Sequence, residues 1–446
     1  MTERRTWSQS DSMIPSRFIR PARRFMQLEA ASGLVLIGAA VVALLWANLP
    51  FGESYEKFWE TRLLIELGPI DLSESLRDVV NDALMTLFFF VVGLEIKRET
   101  RLGDLSDRSA AAGPAIAAVG GMVVPALIYF ALNSSGDAAR GWGIPMATDI
   151  AFALGVVALL GNRIPPRARL FLLAVAIVDD IGAIAVIAIF YTDDLSFGWL
   201  AVAVALFVVV YMAKHRNVRA MSFYWIIGTM VWFAVFQSGV HATLAGVALG
   251  FLTPTHPFYG AREYNEKARA TVGSYGNEEQ SVMEREHVDH EVLELANITR
   301  ESVSPLTRLE EGLHPWTSFM IVPLFALANA GVRFVGIDIG AALKDPITIG
   351  VALGLVLGKI VGITLAMYLA VRSGVARLPI GSTWSHIRGL AVLGGIGFTV
   401  SLFVTGLAFD DPAMADLAKI GIFAGSAIAG VTGYLLLRKV PVPDER

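Results

Sequence analysis

The sequence predicts an all-α polytopic membrane protein of about twelve transmembrane helices, two of them interrupted, with a possible external β-hairpin. Three observations carry that prediction. The 446 residues are 54% hydrophobic and 17% charged, where soluble domains carry about 25% charged residues, and the mean hydropathy is +0.58. Apolar runs long enough to cross a bilayer recur along the chain. One of them, LFLLAVAIVDDIGAIAVIAIFY at 170–191, holds two adjacent acids, Asp179 and Asp180, at its centre. A single acid at mid-bilayer costs roughly 2.5–3.5 kcal/mol on insertion scales, so a pair marks an ion path or a proton relay rather than a packing element.

Composition also excludes whole classes. The absence of cysteine rules out disulfides, thiolate metal sites and cysteine nucleophiles. A net charge of −4 gives no footing for nucleic acid. The first 24 residues are basic (Arg4, Arg5, Arg17, Arg20, Arg23, Arg24), but the apolar run at 30–49 is too long for the core of a cleaved signal and reads as the first span.

The remaining runs fall near 80–97, 109–133, 142–161, 168–191, 198–213, 221–237, 240–253, 315–332, 346–371, 387–409 and 416–437. Only about 33 residues supply both the seventh and the eighth span. The connections alternate in charge. The N-terminal arm, Arg163/Arg167/Arg169, Lys214/Arg216/Arg219, Arg372/Arg377/Arg388 and Arg438/Lys439 are basic, whereas the intervening connections are acidic or bare. The positive-inside rule then places both termini in the cytoplasm, which requires an even number of spans. The expected organisation is a basic cytoplasmic arm at 1–29, spans one to eight at 30–254, a hydrophilic cytoplasmic loop at 255–312, spans nine to twelve at 313–437 and a cytoplasmic tail at 438–446.

Two connections are distinctive. Residues 58–76 alternate partly and contain Gly68-Pro69, which suits either a β-hairpin or an amphipathic surface helix. The 255–312 loop carries nine acids against five bases from His256 to Arg300 and reads as a solvated arm, with Val288, Val292 and Leu295 as one apolar stripe on a short helix.

The fourth and eleventh spans are broken. GWGIPMATDIAFALGVVALL contains Pro145 and the polar pair Thr148-Asp149, and GLAVLGGIGFTVSLFVTGLAF contains Gly394, Gly395 and Gly397 ahead of Thr399 and Ser401. Unwound backbone at membrane depth is tolerated only beside a polar cavity. Interrupted spans in corresponding halves of a chain point to a transporter site. Half-helix ends carry about half an elementary charge, positive at N-termini and negative at C-termini. Asp149 suits the first kind of end. Lys359, the one base deep in a span, suits the second, or pairs directly with Asp179 or Asp180.

Neighbours on a helix project about 100° apart, so Asp179 and Asp180 face different partners and divide their roles. Desolvation and a like charge next door bring a carboxylate toward the range where protons and a cation compete for it. The oxygen ligands on offer (carboxylates, the Thr148 hydroxyl, freed carbonyls) suit a hard alkali cation rather than a soft metal.

These residues, in this order, resemble the NhaA family of bacterial Na+/H+ antiporters, a standard example of transporters built from inverted-topology repeats. The resemblance rests on NDALMTLFFFVVGLEIKRE (81–99), IPMATDIAFALGVVALLG (144–161), FLLAVAIVDDIGAIAVIAIFYT (171–192), SGVHATLAGVALGFLTP (238–254), LHPWTSFMIVPLFALANAGV (313–332) and GGIGFTVSLF (394–403). It implies inverted repeats whose two interrupted helices cross. It also implies electrogenic, pH-regulated exchange of cytoplasmic Na+ or Li+ for external H+ by alternating access, serving sodium and pH homeostasis in the bacterial inner membrane. No cofactor and no enzymatic activity are implied. By the same resemblance Asp180 is the central cation and proton carboxylate, Asp179 the partner of Lys359, and Thr148 and Asp149 the polar pair at the helix crossing. Glu95, Glu99 and His241 are associated with the pH response, and segment 58–76 is an external hairpin of a homodimer. The chain departs from the family pattern at Glu311, where a histidine is usual, while His314 is retained; its 256–304 loop is also longer than expected.

Other classes fit less well. No acid follows the GxGD pattern of intramembrane aspartyl proteases, and a deep lysine opposes a passive cation channel. The remaining alternative is another sodium-coupled transporter on the same scaffold, an organic-anion symporter.

Overall fold

The computed structural model describes residues 31–67, 70–192, 195–218, 220–274, 282–334 and 338–441. The N-terminal arm, the Gly68-Pro69 turn, Asp193/Asp194 and Arg219 lie outside the described residues.

The chain is built from helices joined by short turns: α1 (Ala31–Asn48), α2 (Leu76–Arg101), α3 (Arg108–Leu132), a 3₁₀ segment (Asp137–Met146), α4 (Ile150–Leu159), α5 (Pro166–Phe190), α6 (Phe197–His215), α7 (Met221–Phe236) and α8 (Thr243–Leu252). After two further helices, α9 (Ala261–Ser274) and α10 (Val282–Glu301), come α11 at 305–329, α12 (Pro346–Arg372), α13 (Trp384–Leu393), α14 (Phe398–Ala408) and α15 (Pro412–Arg438). Several start on the same local chemistry. Ser304-Pro305, Asp345-Pro346 and Asp411-Pro412 each combine a side chain that accepts from a first-turn amide with a proline whose missing N–H is one a first turn leaves unbonded anyway.

Among the described residues seven helices are long and apolar enough to cross a membrane, or nine when each bent pair counts as one span. The three other expected spans correspond to α7, α8 and α11. At about 1.5 Å per residue the ten-residue α8 reaches only about 15 Å, half of a hydrocarbon core. It lies along α2, and Gly246 permits the approach: a Cβ there would sit 2.2 Å from the Thr86 carbonyl oxygen.

Both interrupted spans are broken as expected, with bends of 40° between the 3₁₀ segment and α4 and 46° between α13 and α14. Residues 58–76 form the hairpin and not the surface helix: β1 (Arg62–Leu67) pairs antiparallel with β2 (Ile70–Ser75), Arg62 opposite Ser75. Within the hydrophilic loop, the described helices α9 and α10 pack on one another, with Lys267 3.8 Å from Glu294. Of the expected stripe, Val292 is 40% exposed, Leu295 is half-buried and the Val288 side chain lies outside the described residues; Ile298 is buried.

Candidate functional site

The site forms where the two breaks pass each other. Residues 147–149 leave the helical conformation, with extended backbone at Ala147 and Asp149. The Asp149 N–H donates to the Ile396 carbonyl at 2.6 Å, and the Ser401 hydroxyl donates to the Ile144 carbonyl at 2.8 Å. Gly395 is required by closeness, since a Cβ there would lie 2.3 Å from the Leu355 carbonyl oxygen. Asp149 caps two helices at once. Its carboxylate accepts from the Phe152 N–H (3.0 Å) at the start of α4, and from the Thr399 N–H (3.2 Å) and hydroxyl (2.7 Å) at the start of α14. One negative charge thereby faces the positive ends of both half-helices.

The opposite charge sits beside it. Lys359 and Asp179 are both fully buried and form a direct ion pair through Nζ and Oδ2. The ammonium also donates to the Met146 carbonyl, the last of the 3₁₀ segment, and to the Thr148 hydroxyl at 3.1 Å. Its three protons are thus all engaged. The Thr148 oxygen lies 2.8 Å from both Asp179 Oδ2 and the Gly394 carbonyl, so it ties the pair to the end of α13. Asp180 is 6% exposed. Among the described residues, the buried Oδ1 atoms of Asp179 and Asp180 have no hydrogen-bond partner. An orphaned carboxylate oxygen in low dielectric needs a proton or a cation. The donor set is all oxygen, which fits a hard cation. Among the described residues no three His, Asp or Glu side chains converge as a ligand cage.

The family model described as Na+/H+ antiporter 1 matches residues 23–437. The chain belongs to this family. It is 45% identical over 425 residues to the Na+/H+ antiporter NhaA of Oleidesulfovibrio alaskensis, covering 95% of this chain and 94% of that one. It is 47% identical to the NhaA of Koribacter versatilis (94% and 91% covered) and 47% identical to that of Rhodopirellula baltica (96% of each).

The other residues singled out from the antiporter pattern fall into two separate places. Glu95 is half-buried near the end of α2, and Glu99 lies 3.3 Å from Arg98. Arg98 also pairs with Glu310, which is 8% exposed. The neighbouring Lys97 is buried and caps the end of α8, donating to the Phe251 carbonyl (2.6 Å) and to that of Thr253. His241 precedes α8 and meets the Tyr191 carbonyl through Nε2. Because α8 runs alongside α2 in the same direction, with Gly246 and Gly250 against residues 86–93, His241 lies ahead of that contact, away from the end of α2 that carries Glu95. Sequence reasoning missed Lys97, Arg98 and Glu310. It fixed on Glu311, which is exposed, as is His314. A helical phase count from Leu306, one turn before Glu310 on the same buried face, carries the signal that was available.

Proposed function

We propose that this chain exchanges Na+ (or Li+) for H+ across a bacterial inner membrane by alternating access, with both termini in the cytoplasm. The observation that carries the reading is the pair of orphaned carboxylate oxygens on Asp179 and Asp180, buried beside an internally satisfied lysine where two broken helices cross. Asp180 serves as the carboxylate for which proton and cation compete. Asp179 and Thr148 supply further oxygens, and Lys359 holds Asp179 when the cation is absent. Asp149 keeps the two half-helices together through the cycle by neutralising both N-terminal ends.

Asp179, Asp180 and Lys359, coupled at one buried centre, support electrogenic exchange, with more protons entering than sodium ions leaving. Glu95, Glu99 and His241 are assigned to the pH response, the two acids through the Arg98–Glu310 pair that joins α2 to α11. The hairpin supports a homodimer, because β1 presents Leu63 and Leu64 to solvent at 42% and 68% exposure.

The test is sodium-driven proton movement in proteoliposomes, native chain against Asp180→Asn, from neutral to alkaline pH. Dissipation of an imposed pH gradient by sodium only when Asp180 is intact supports both the exchange and its central residue. Silence toward Na+ and Li+, with proton flux driven by an organic anion, would replace the substrate assignment with the symporter reading.

A further inference from the structure

The first half of the first broken span is not an α-helix. Asp137–Met146 is a 3₁₀ helix of ten residues, whereas such runs rarely exceed three or four. The 3₁₀ form rises about 2.0 Å per residue against about 1.5 Å for α, so over ten residues the two forms place the last carbonyl about 5 Å apart. That last carbonyl is Met146, which receives Lys359. Whatever holds the longer form therefore decides whether Lys359 has its third acceptor.

Three hydroxyls bond carbonyls of the segment: that of Ser401, already described at Ile144, and those of two buried tyrosines that are not part of the exchange chemistry above. Tyr129 on α3 donates its hydroxyl to the Ala138 carbonyl at 2.8 Å. Tyr191, at the end of α5 and 2% exposed, donates to the Arg140 carbonyl at 2.6 Å. The 3₁₀ segment is shaped for both: a Cβ on Gly141 would lie 2.4 Å from the Tyr129 hydroxyl, and one on Gly143 would lie 2.8 Å from the Tyr191 hydroxyl. Tyr191 follows directly on the helix that carries Asp179 and Asp180, so it ties the acids' own helix to the segment that ends at Met146.

We propose that Tyr191, with Tyr129 in support, is a positioning residue for the exchange: its hydroxyl holds the 3₁₀ segment at the length that brings the Met146 carbonyl to Lys359. This rests on the cation-exchange reading of the Asp179–Lys359 centre. With Met146 withdrawn, one ammonium proton is left without an acceptor in a dry site, and Lys359 leans harder on Asp179. The lysine then competes more strongly with the transported cation for that carboxylate.

The experiment is sodium-dependent proton flux by the full chain in proteoliposomes, resolved into KM for Na+ and maximal rate. Tyr191→Phe is expected to raise KM about 2- to 10-fold, the range one net hydrogen bond supplies, with a smaller change in maximal rate. Tyr129→Phe, whose carbonyl lies farther from Met146, is expected to raise it less. A native KM in Tyr191→Phe, with only the melting temperature or maximal rate lowered, would show a plain packing role and overturn the proposal. If Tyr191→Phe does not fold, Gly143→Ala tests the same contact by driving a methyl group against the hydroxyl. It should give the same rise in KM, and a native KM there overturns the proposal equally. A native chain that moves no protons in response to Na+ or Li+ would instead defeat the exchange reading, and the positioning role with it.

Discussion

The two broken spans do the same geometric job with different materials. The first break carries the charge: Thr148 and Asp149 sit in extended backbone between a 3₁₀ segment and α4, and Asp149 alone holds two helix starts. The second break carries none. It is made of Gly394, Gly395 and Gly397 between α13 and α14, and it offers hydroxyls and carbonyls to the first. One segment therefore supplies the electrostatics and the other supplies the room. Damage to the first should act through unpaired polar groups, and damage to the second through crowding.

The largest effect is expected from Asp149→Ala. It orphans the buried amide of Thr399, at a cost of about 1–3 kcal/mol, and the half-buried amide of Phe152 at a smaller one, and leaves two helix N-termini facing each other without a counter-charge. Sodium-driven proton flux should be lost and the thermal midpoint should fall further than for any other change at the crossing. Asp149→Asn sharpens the point, because it removes the charge and replaces one of the two accepting oxygens with an NH2 donor, leaving an acceptor for only one of the two helix starts. Its midpoint should fall between native and Asp149→Ala; a loss equal to that of Asp149→Ala would mean that neither cap survives without the charge.

Next in size is Gly395→Ala. The new methyl carbon would sit 2.3 Å from the Leu355 carbonyl oxygen, a backbone atom that cannot swing away, so a penalty of about 1–3 kcal/mol is expected. Gly406→Ala, on α14 with open space around it, is the matched control and should be neutral or slightly stabilising in the same melting experiment. If both alanines melt alike, crowding is not what the second break guards against.

This division also marks what could be read before the structure. Both breaks were legible, because Pro145 and the three glycines interrupt otherwise continuous apolar runs, and such interruptions have few other uses at membrane depth. The hairpin was legible only as one of two options, since partial alternation over 58–76 fits a strand or a surface helix. The 3₁₀ form of 137–146 was not legible. Helix type there is decided by hydroxyls that arrive from Tyr129, Tyr191 and Ser401, all distant in sequence or on other elements. The choice between Glu310 and Glu311 was hidden for a related reason: adjacent acids differ only in helical phase, and the phase is set by which face of α11 meets Arg98. The length of α9 and α10 was missed because a mostly polar sequence with one weak stripe carries little periodic signal.

The smallest expected effect is also the most discriminating for the comparison. Thr399→Val removes the 2.7 Å hydroxyl bond to Asp149 but keeps the residue's shape and its backbone N–H, which still donates at 3.2 Å. One net hydrogen bond of about 0.5–1.5 kcal/mol is at stake. If the second break contributes mainly room, the protein should melt slightly lower and still exchange Na+ for H+, because Asp149 retains both amides and its charge. A loss of flux as complete as that of Asp149→Ala would mean that the Thr399 hydroxyl has a part in the transport cycle itself. The line drawn between a charged break and a merely permissive one would then have to be withdrawn.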